Sequence, residues 1–286
     1  MSRLLATFAL ILVALTAPAP AAEQWARDLF SAVKSPVATA DGQPHSFGSY
    51  AKGCIAGAVQ LPTDGPGWQA MRLSRDRRWG SPALIDYIGS LAAAVQADGW
   101  PGLLVGDLGQ PRGGPAPSGH ASHQIGLDAD IWLDPSPGHT LSADEREKIG
   151  ATSVLKKGTR SVDPKLLTEG KRMLIYRAAT LPGVARIFVA PGIKQALCAI
   201  TWRDRSFLNK VRPWYGHDDH IHVRLDCPKG DANCQPQAPP PAGDGCGDEL
   251  TWWLSDEPYK PSNNPPGKPL TLADLPKQCT AVVGAK

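Results

Sequence analysis

The sequence predicts a single domain that mixes helices with strands, enters an export route and is stapled by disulfides. Three observations carry this expectation. A helical stripe begins at Ser81, segments 126–134 and 220–225 alternate as strands do, and six cysteines follow an export-type leader.

The leader MSRLLATFALILVALTAPAPAAEQ has one positive charge at Arg3, an apolar run from Leu4 to Leu15, and then small residues and prolines. That is the three-part pattern of a secretory signal peptide. Ala19 and Ala21 make an A-x-A site, so cleavage is expected after Ala21, leaving residues 22–286 as one domain in the periplasm. The apolar run is short of the roughly 20 residues that span a bilayer, and no later segment approaches that length, so no membrane span is expected. Removing residues 1–21 takes away Arg3 and no acidic residue, which lowers the net charge from +3 to +2. So weak a charge, without a basic run or stripe, excludes a nucleic-acid partner.

From Ala22 to about Gly80 the chain is rich in glycine, proline and isolated aromatics, and reads as loops and short strands. Ser81 can cap a helix and Pro82 suits its first position. Leu84, Tyr87, Ile88, Leu91 and Val95 then recur on one face. A strand is predicted at Leu103–Val105, and GQPRGGPAPSG after it is a loop. In GLDADIWLD, Asp128, Asp130 and Trp132 fall on one side of a strand, with Leu127, Ala129, Ile131 and Leu133 on the other. Ser142 and Glu145 form a capping-box pattern for a short helix ending near Gly150. Helices are also predicted at 171–180 and 193–207, with strands at 185–190 and 220–225. The proline- and glycine-rich stretch after Cys227 contains Cys234 and Cys246, and Cys279 lies beyond it. Cysteines there predict that residues 228–286 wrap the domain rather than form a free linker. Six cysteines without a C-x-x-C pair suggest three disulfides, and Cys227 with Cys234 is the first pair expected from proximity.

Five of the seven histidines crowd into two short blocks, SGHASHQIGLDADIWLD (118–134) and WYGHDDHIHVRLD (214–226). Imidazole and carboxylate together are the usual ligands of a catalytic zinc, which keeps its fourth position open. His123, Asp130 and His222 are the candidate ligands. No HExxH is present, so the site must be assembled from separate elements. His123 and Asp130 are seven apart, which would place them on opposite faces of a continuous strand, so the chain must turn between them, with Gly126 the natural place. His220 and His222 share a strand face, so one can hold metal while the other faces the reacting water. His217 can orient that base or support a tetrahedral intermediate. Taken alone, an H-x-H pair is more often a surface feature, and the aspartates of DADIWLD read as a solvated strand face. The two blocks together favour the metal. His45 and His139 read as ordinary surface residues, and Trp132 and Trp214 as core residues.

SGHASHQIGLDADI and WYGHDDHIHVRLDCP resemble the two signature blocks of the penicillin-insensitive murein endopeptidases, and the likeness extends from about Trp25 to Cys279. These enzymes share an H-x6-D and H-x-H pattern with lysostaphin-type and D-Ala-D-Ala metallopeptidases and with the hedgehog signalling domain. The resemblance implies an α+β fold around an antiparallel sheet with flanking helices. It implies Zn²⁺ on His123, Asp130 and His222, with His220 as catalytic base, His217 assisting the intermediate and His120 beside a second ion. Asp163 and His139 are the only further partners suggested for that ion. It also implies disulfides pairing Cys54 with Cys279, Cys198 with Cys246, and Cys227 with Cys234. The implied substrate is peptidoglycan, cut at the D-alanyl to meso-diaminopimelyl cross-link. Two alternatives use the same residues: a D,D-carboxypeptidase that trims stem peptides, and a non-catalytic zinc-containing module that binds peptidoglycan.

Overall fold

Strand patterning concentrates in segments far apart in the chain, and pairing between them builds the centre of the protein. A computed structural model describes residues 24–261 and 267–285, so the leader and its expected cleavage site after Ala21 lie outside the described residues. Eleven strands occur in it: β1 (His45–Ser49), β2 (Lys52–Ala56), β3 (Val59–Gln60), β4 (Asp64–Gly65), β5 (Trp68–Ala70), β6 (Trp79–Gly80), β7 (Leu103–Val105), β8 (Asp128–Pro135), β9 (Val184–Val189), β10 (Val211–Pro213) and β11 (His220–Leu225). Seven of them form one sheet in the order β10-β9-β11-β8-β7-β5-β4. The helices are α1 (Ala26–Ala32), α2 (Pro82–Ala97), α3 (Ala143–Lys148), α4 (Glu169–Thr180), α5 (Pro191–Cys198), α6 (Asp248–Leu254) and α7 (Gln278–Gly284).

The fold is α+β, and its sheet is antiparallel at the centre and mixed at the flanks. β9, β11, β8 and β7 pair antiparallel, whereas β10–β9 and β5–β7 are parallel. Parallel neighbours need a crossover, and α2 and α5 lie in those two connections. One face of the sheet is the core. Ala129, Ile131 and Leu133 of β8 join Ile187 and Val189 of β9 and Ile221 and Val223 of β11 in one buried cluster with α2 and α4. Leu84, Ile88 and Leu91 of α2 are fully buried there, each stabilising the fold by about 1.5–3 kcal/mol.

Local signals hold where they were strongest. The Ser81 side chain accepts the Leu84 N–H with Pro82 at the first position, and Ser142 and Glu145 cap α3 reciprocally. Two segments depart from expectation. The helix predicted over 193–207 stops at Cys198, because the Arg205 guanidinium captures the carbonyls of Cys198 and Ile200 and Asp204 takes the Ser206 N–H. Conversely, α1 forms where only loops and strands were expected. Seven residues are too few for an isolated helix. Ala26 and Phe30 are buried against Cys54, Cys279 and Val282, and the Ala26 N–H is bonded to the Leu270 carbonyl, so the C-terminal segment creates this helix.

The three disulfides pair Cys54 with Cys279, Cys198 with Cys246 and Cys227 with Cys234, as the resemblance implied. Two of them tie the stretch after Asp226 to the body. Arg112, in the long loop after β7, adds bonds to the carbonyls of Val282 and Ala285. No helix among the described residues is long and apolar enough to cross a membrane.

Candidate metal centre

The face of the sheet opposite the core carries the polar residues of the two histidine blocks, and strand register sets which of them meet. Across β8 and β11, His222 stands opposite Asp130, Arg224 opposite Asp128, and His220 opposite Trp132. Asp128 and Asp130 are buried, so this strand face is not the solvated one that the aspartates taken alone suggest. Gly126, at φ +71°, provides the turn that returns His123 to the same side, and a Cβ there would meet Ile55 Cδ1 at 2.5 Å. His123 itself holds a left-handed backbone at φ +66°, pinned by its N–H donating to Asp128 Oδ2 at 3.0 Å. His217 is also left-handed, at φ +57°. Such strain persists where surrounding structure over-determines it, commonly at functional sites.

His120, His123, Asp130 and His222 offer ligand atoms that all lie within 4.8 Å of one another. Asp130 Oδ1 lies 3.4 Å from His123 Nε2 and 3.5 Å from His222 Nδ1. Bonds of 2.0–2.1 Å in a tetrahedron separate ligands by about 3.3 Å, so this triangle has the size of one metal coordination face. Both His123 ring nitrogens and Asp130 Oδ1 are buried and lack a hydrogen-bond partner. Each such orphan costs about 1–3 kcal/mol, and a cation that takes the lone pair of one His123 ring nitrogen and one from Asp130 Oδ1 removes the cost at those two atoms. The residues present therefore fit a divalent metal.

His120 belongs to the same cluster rather than to a separate site. Its Nε2 lies 3.0 Å from Asp130 Oδ2 and 3.7 Å from Asp107 Oδ2. Asp107 in turn pairs with Arg75 and Arg77. Neither residue suggested as a partner for a second ion belongs to this cluster: His139 is exposed beside Glu145, and Asp163 caps the Lys165 N–H.

Around the ligands lies a second layer that sequence reasoning did not single out. Asp128 Oδ1 sits 3.1 Å from His222 Nε2 without hydrogen-bond geometry, and Nδ1 is the ring nitrogen turned toward Asp130 Oδ1 and the metal-sized space. The same carboxylate receives Arg224 Nε at 2.8 Å. Burial lowers the His222 pKa to about 4 against the pull of Asp128, so the ring is neutral, as a ligand must be. Burial opposes the Asp130 anion, yet the imidazoles of His123, His120 and His220 hold its carboxyl well below the usual carboxylate range. Asp219 carries His220: its Oδ1 accepts from His220 Nδ1 at 2.5 Å, leaving a bare Nε2 that lies 3.8 Å from Asp130 Oδ1. Burial lowers the His220 pKa, but the Asp219 bond and the Asp130 charge outweigh it and the net shift is upward. His217 donates Nδ1–H to the Tyr215 carbonyl at 2.6 Å, and burial with neighbouring imidazoles lowers its pKa to about 3. The adjacent acid in DDHIH was the signal available for Asp219. For Asp128 it was its place on the same strand face as Asp130.

The cluster opens into a cleft of about 500 Å³. Phe188, Trp214, Tyr215 and Trp253 form part of its lining, and Gly119, His120 and Ser122 another part. Trp214 is therefore not a core residue as expected: it is half exposed, whereas Trp132 is buried beside Met71, Leu104 and Leu141. Trp253 reaches the cleft from α6, held by the Cys198–Cys246 disulfide two residues before that helix.

Residues 46–284 match the family model described as penicillin-insensitive murein endopeptidase. Curated proteins of that name from three bacteria are similar over nearly the whole chain. The Haemophilus influenzae protein is 43% identical over 256 residues, covering 88% of this chain and 87% of its own length. The Klebsiella pneumoniae protein is 44% identical over 242 residues, covering 85% and 87%. The Yersinia enterocolitica protein is 40% identical over 274 residues, covering 96% and 94%. With the expected histidine and aspartate blocks gathered at one buried centre, the chain belongs to the penicillin-insensitive murein endopeptidase family of metallopeptidases.

Proposed function

We propose that this protein is a periplasmic zinc endopeptidase that hydrolyses the D-alanyl to meso-diaminopimelyl cross-links of murein. The observation that carries it is the set of orphaned His123 and Asp130 lone-pair atoms at coordination spacing, beside a cleft of about 500 Å³ that His120, His220 and His222 line. His123, Asp130 and His222 would hold the zinc ion, with His120 beside them on the second oxygen of Asp130. When bound, the ion supplies Lewis acidity at the scissile carbonyl and makes water acidic enough to release a proton near neutral pH.

The protein's own groups do the rest. His220 Nε2 faces the centre as a bare acceptor and takes the proton of the attacking water, while Asp219 holds the ring in that tautomer and raises its basicity. His220 then returns the proton to the leaving amine. His217, with Nδ1–H committed to Tyr215, can donate from Nε2 only as imidazolium, so it must first take a second proton from solvent, an uptake favoured by the negative charge that develops on the substrate. Phe188, Trp214 and Tyr215 provide an apolar wall that orients the peptide and thins out water. The antiparallel pairing that brings H-x6-D beside H-x-H supports an architecture of the type found in D-Ala-D-Ala metallopeptidases and the hedgehog domain.

The test is digestion of purified sacculi, with product masses and metal content measured on the same preparation. Dimers converted to monomers, loss of activity with chelator, recovery with zinc and a large loss in His220→Ala are expected. Released D-alanine without dimer cleavage would instead indicate a D,D-carboxypeptidase. A metal-loaded protein that digests nothing would indicate a binding module.

A further inference from the structure

The row of residues next to the metal ligands carries an uncompensated charge. On the cleft side of the sheet, Arg186 of β9 stands opposite Arg224 of β11, and Arg224 stands opposite Asp128 of β8. Two guanidiniums thus share a row with one carboxylate. Asp128 is engaged by Arg224, which reaches it with Nε at 2.8 Å and Nη2 at 3.3 Å. The third arginine of the cleft, Arg212, pairs with Glu249. Among the described residues no carboxylate lies within 4.0 Å of the Arg186 guanidinium, and its one side-chain hydrogen bond to them goes from Nη2 to the Ala238 carbonyl. A guanidinium has five N–H donors, so donors beyond the one given to Ala238 remain for a ligand in the cleft that Arg186 helps to line. Burial and the neighbouring Arg224 push its pKa down, the direction expected where no anion compensates the charge.

We propose that Arg186 is a specificity-determining residue that binds the free carboxylate beside the scissile amide of the cross-link. The proposal rests on the murein assignment, and it deepens it by naming the group recognised. In a D-alanyl to diaminopimelyl bond, the carbon attached to the scissile nitrogen carries a carboxylate. Its carboxyl carbon lies about 3–4 Å from the scissile carbonyl carbon. A paired guanidinium carbon stands about 4 Å further on, consistent with hydrogen bonds of about 2.8 Å. Arg224 is two residues along β11 from His222, about 7 Å, and Arg186 is beside it. The register therefore places Arg186 one row away from the metal ligands, lining the same cleft as His220 and His222, and Arg186 offers the planar fork that a carboxylate accepts.

Two cross-linked muropeptide dimers test this, one with that carboxylate free and one with it converted to a carboxamide. Wild type, Arg186→Gln and Arg186→Lys are compared at equal metal content. Amidation is expected to lower the wild-type kcat/KM by about 10- to 100-fold, chiefly through KM. Arg186→Gln should lose as much on the free acid and discriminate no longer, and Arg186→Lys should retain part of the preference. Equal wild-type cleavage of both dimers overturns the carboxylate subsite and leaves the murein assignment intact. Cleavage of neither dimer overturns the assignment and the subsite with it. Discrimination that survives in Arg186→Gln also overturns the role of Arg186. The wild-type comparison needs no variant, so poor folding of a substituted protein cannot leave the question open.

Discussion

Replacing Asp128 with asparagine should damage both the fold and the metal centre, although Asp128 is not itself expected to touch the metal. The residue is 1% exposed and its carboxylate receives Arg224 Nε at 2.8 Å, Arg224 Nη2 at 3.3 Å and the His123 N–H at 3.0 Å, with His222 Nε2 at 3.1 Å. Without its charge, the buried Arg224 keeps Gln237 Oε1 at 2.9 Å and its stacking over Tyr50 at 4.1 Å and Phe188 at 5.1 Å, but no anion. Breaking a buried ion pair by removing one partner costs about 3–5 kcal/mol. Asparagine retains one carbonyl acceptor, which places Asp128→Asn near the lower end, about 3 kcal/mol, or roughly a 100-fold shift in the folding constant. Losing the carboxylate behind His222 should also weaken metal binding by about 10- to 100-fold. Urea unfolding and metal competition against a chelator measure the two effects separately. Asp144→Asn, which removes an exposed pair with Lys148, is the control and should change stability by less than about 0.5 kcal/mol. If Asp128→Asn behaves like that control in both assays, Asp128 supports neither Arg224 nor the metal centre.

Asp219→Asn should lower kcat by about 10- to 100-fold with little change in KM or bound metal, because it disturbs only the orientation and basicity of His220; an unchanged kcat would remove Asp219 from the mechanism. The Cys54→Ser, Cys279→Ser double variant opens a link with a sequence separation of 225 residues and should lose about 3–5 kcal/mol in denaturant unfolding, with α1 becoming exchange-labile first. Lys194 is fully buried, bonded to the carbonyls of Leu208 and Asp244, and burial lowers its pKa to about 7. Between that value and the usual lysine value, the unfolded chain holds the proton and the folded chain does not, so stability should rise with pH. Relative to Lys194→Met, wild type should gain up to about 1.4 kcal/mol per pH unit between pH 8 and 10; parallel stability curves would show that the ammonium stays protonated in place.

Much of the candidate centre was legible because its parts are local. His220 and His222 share a strand face by the period of two, and the need for a turn at Gly126 followed from the seven-residue spacing of His123 and Asp130. The Ser81 and Ser142 caps lie within three residues of the groups they bind, so α2 and α3 could be read directly. By contrast, the end of α5 depends on Arg205 reaching back to Cys198, and α1 depends on packing against a segment more than two hundred residues away. Neither contact leaves a local pattern.

Composition, periodicity and the two histidine blocks determined by themselves that the protein mixes helices and strands and that imidazoles and a carboxylate meet around a metal-sized space. Only the tertiary structure decided which carboxylates support that space and which charge is left over in the cleft. Register between β8 and β11 puts Arg224 against Asp128, and register between β11 and β9 leaves Arg186 without an acid beside it. Those registers are chosen by the apolar face, where Ala129, Ile131, Ile221 and Val223 must all point into the core. The polar side inherits its pairings from hydrophobic burial on the other side of the sheet, and no window of sequence contains both strands.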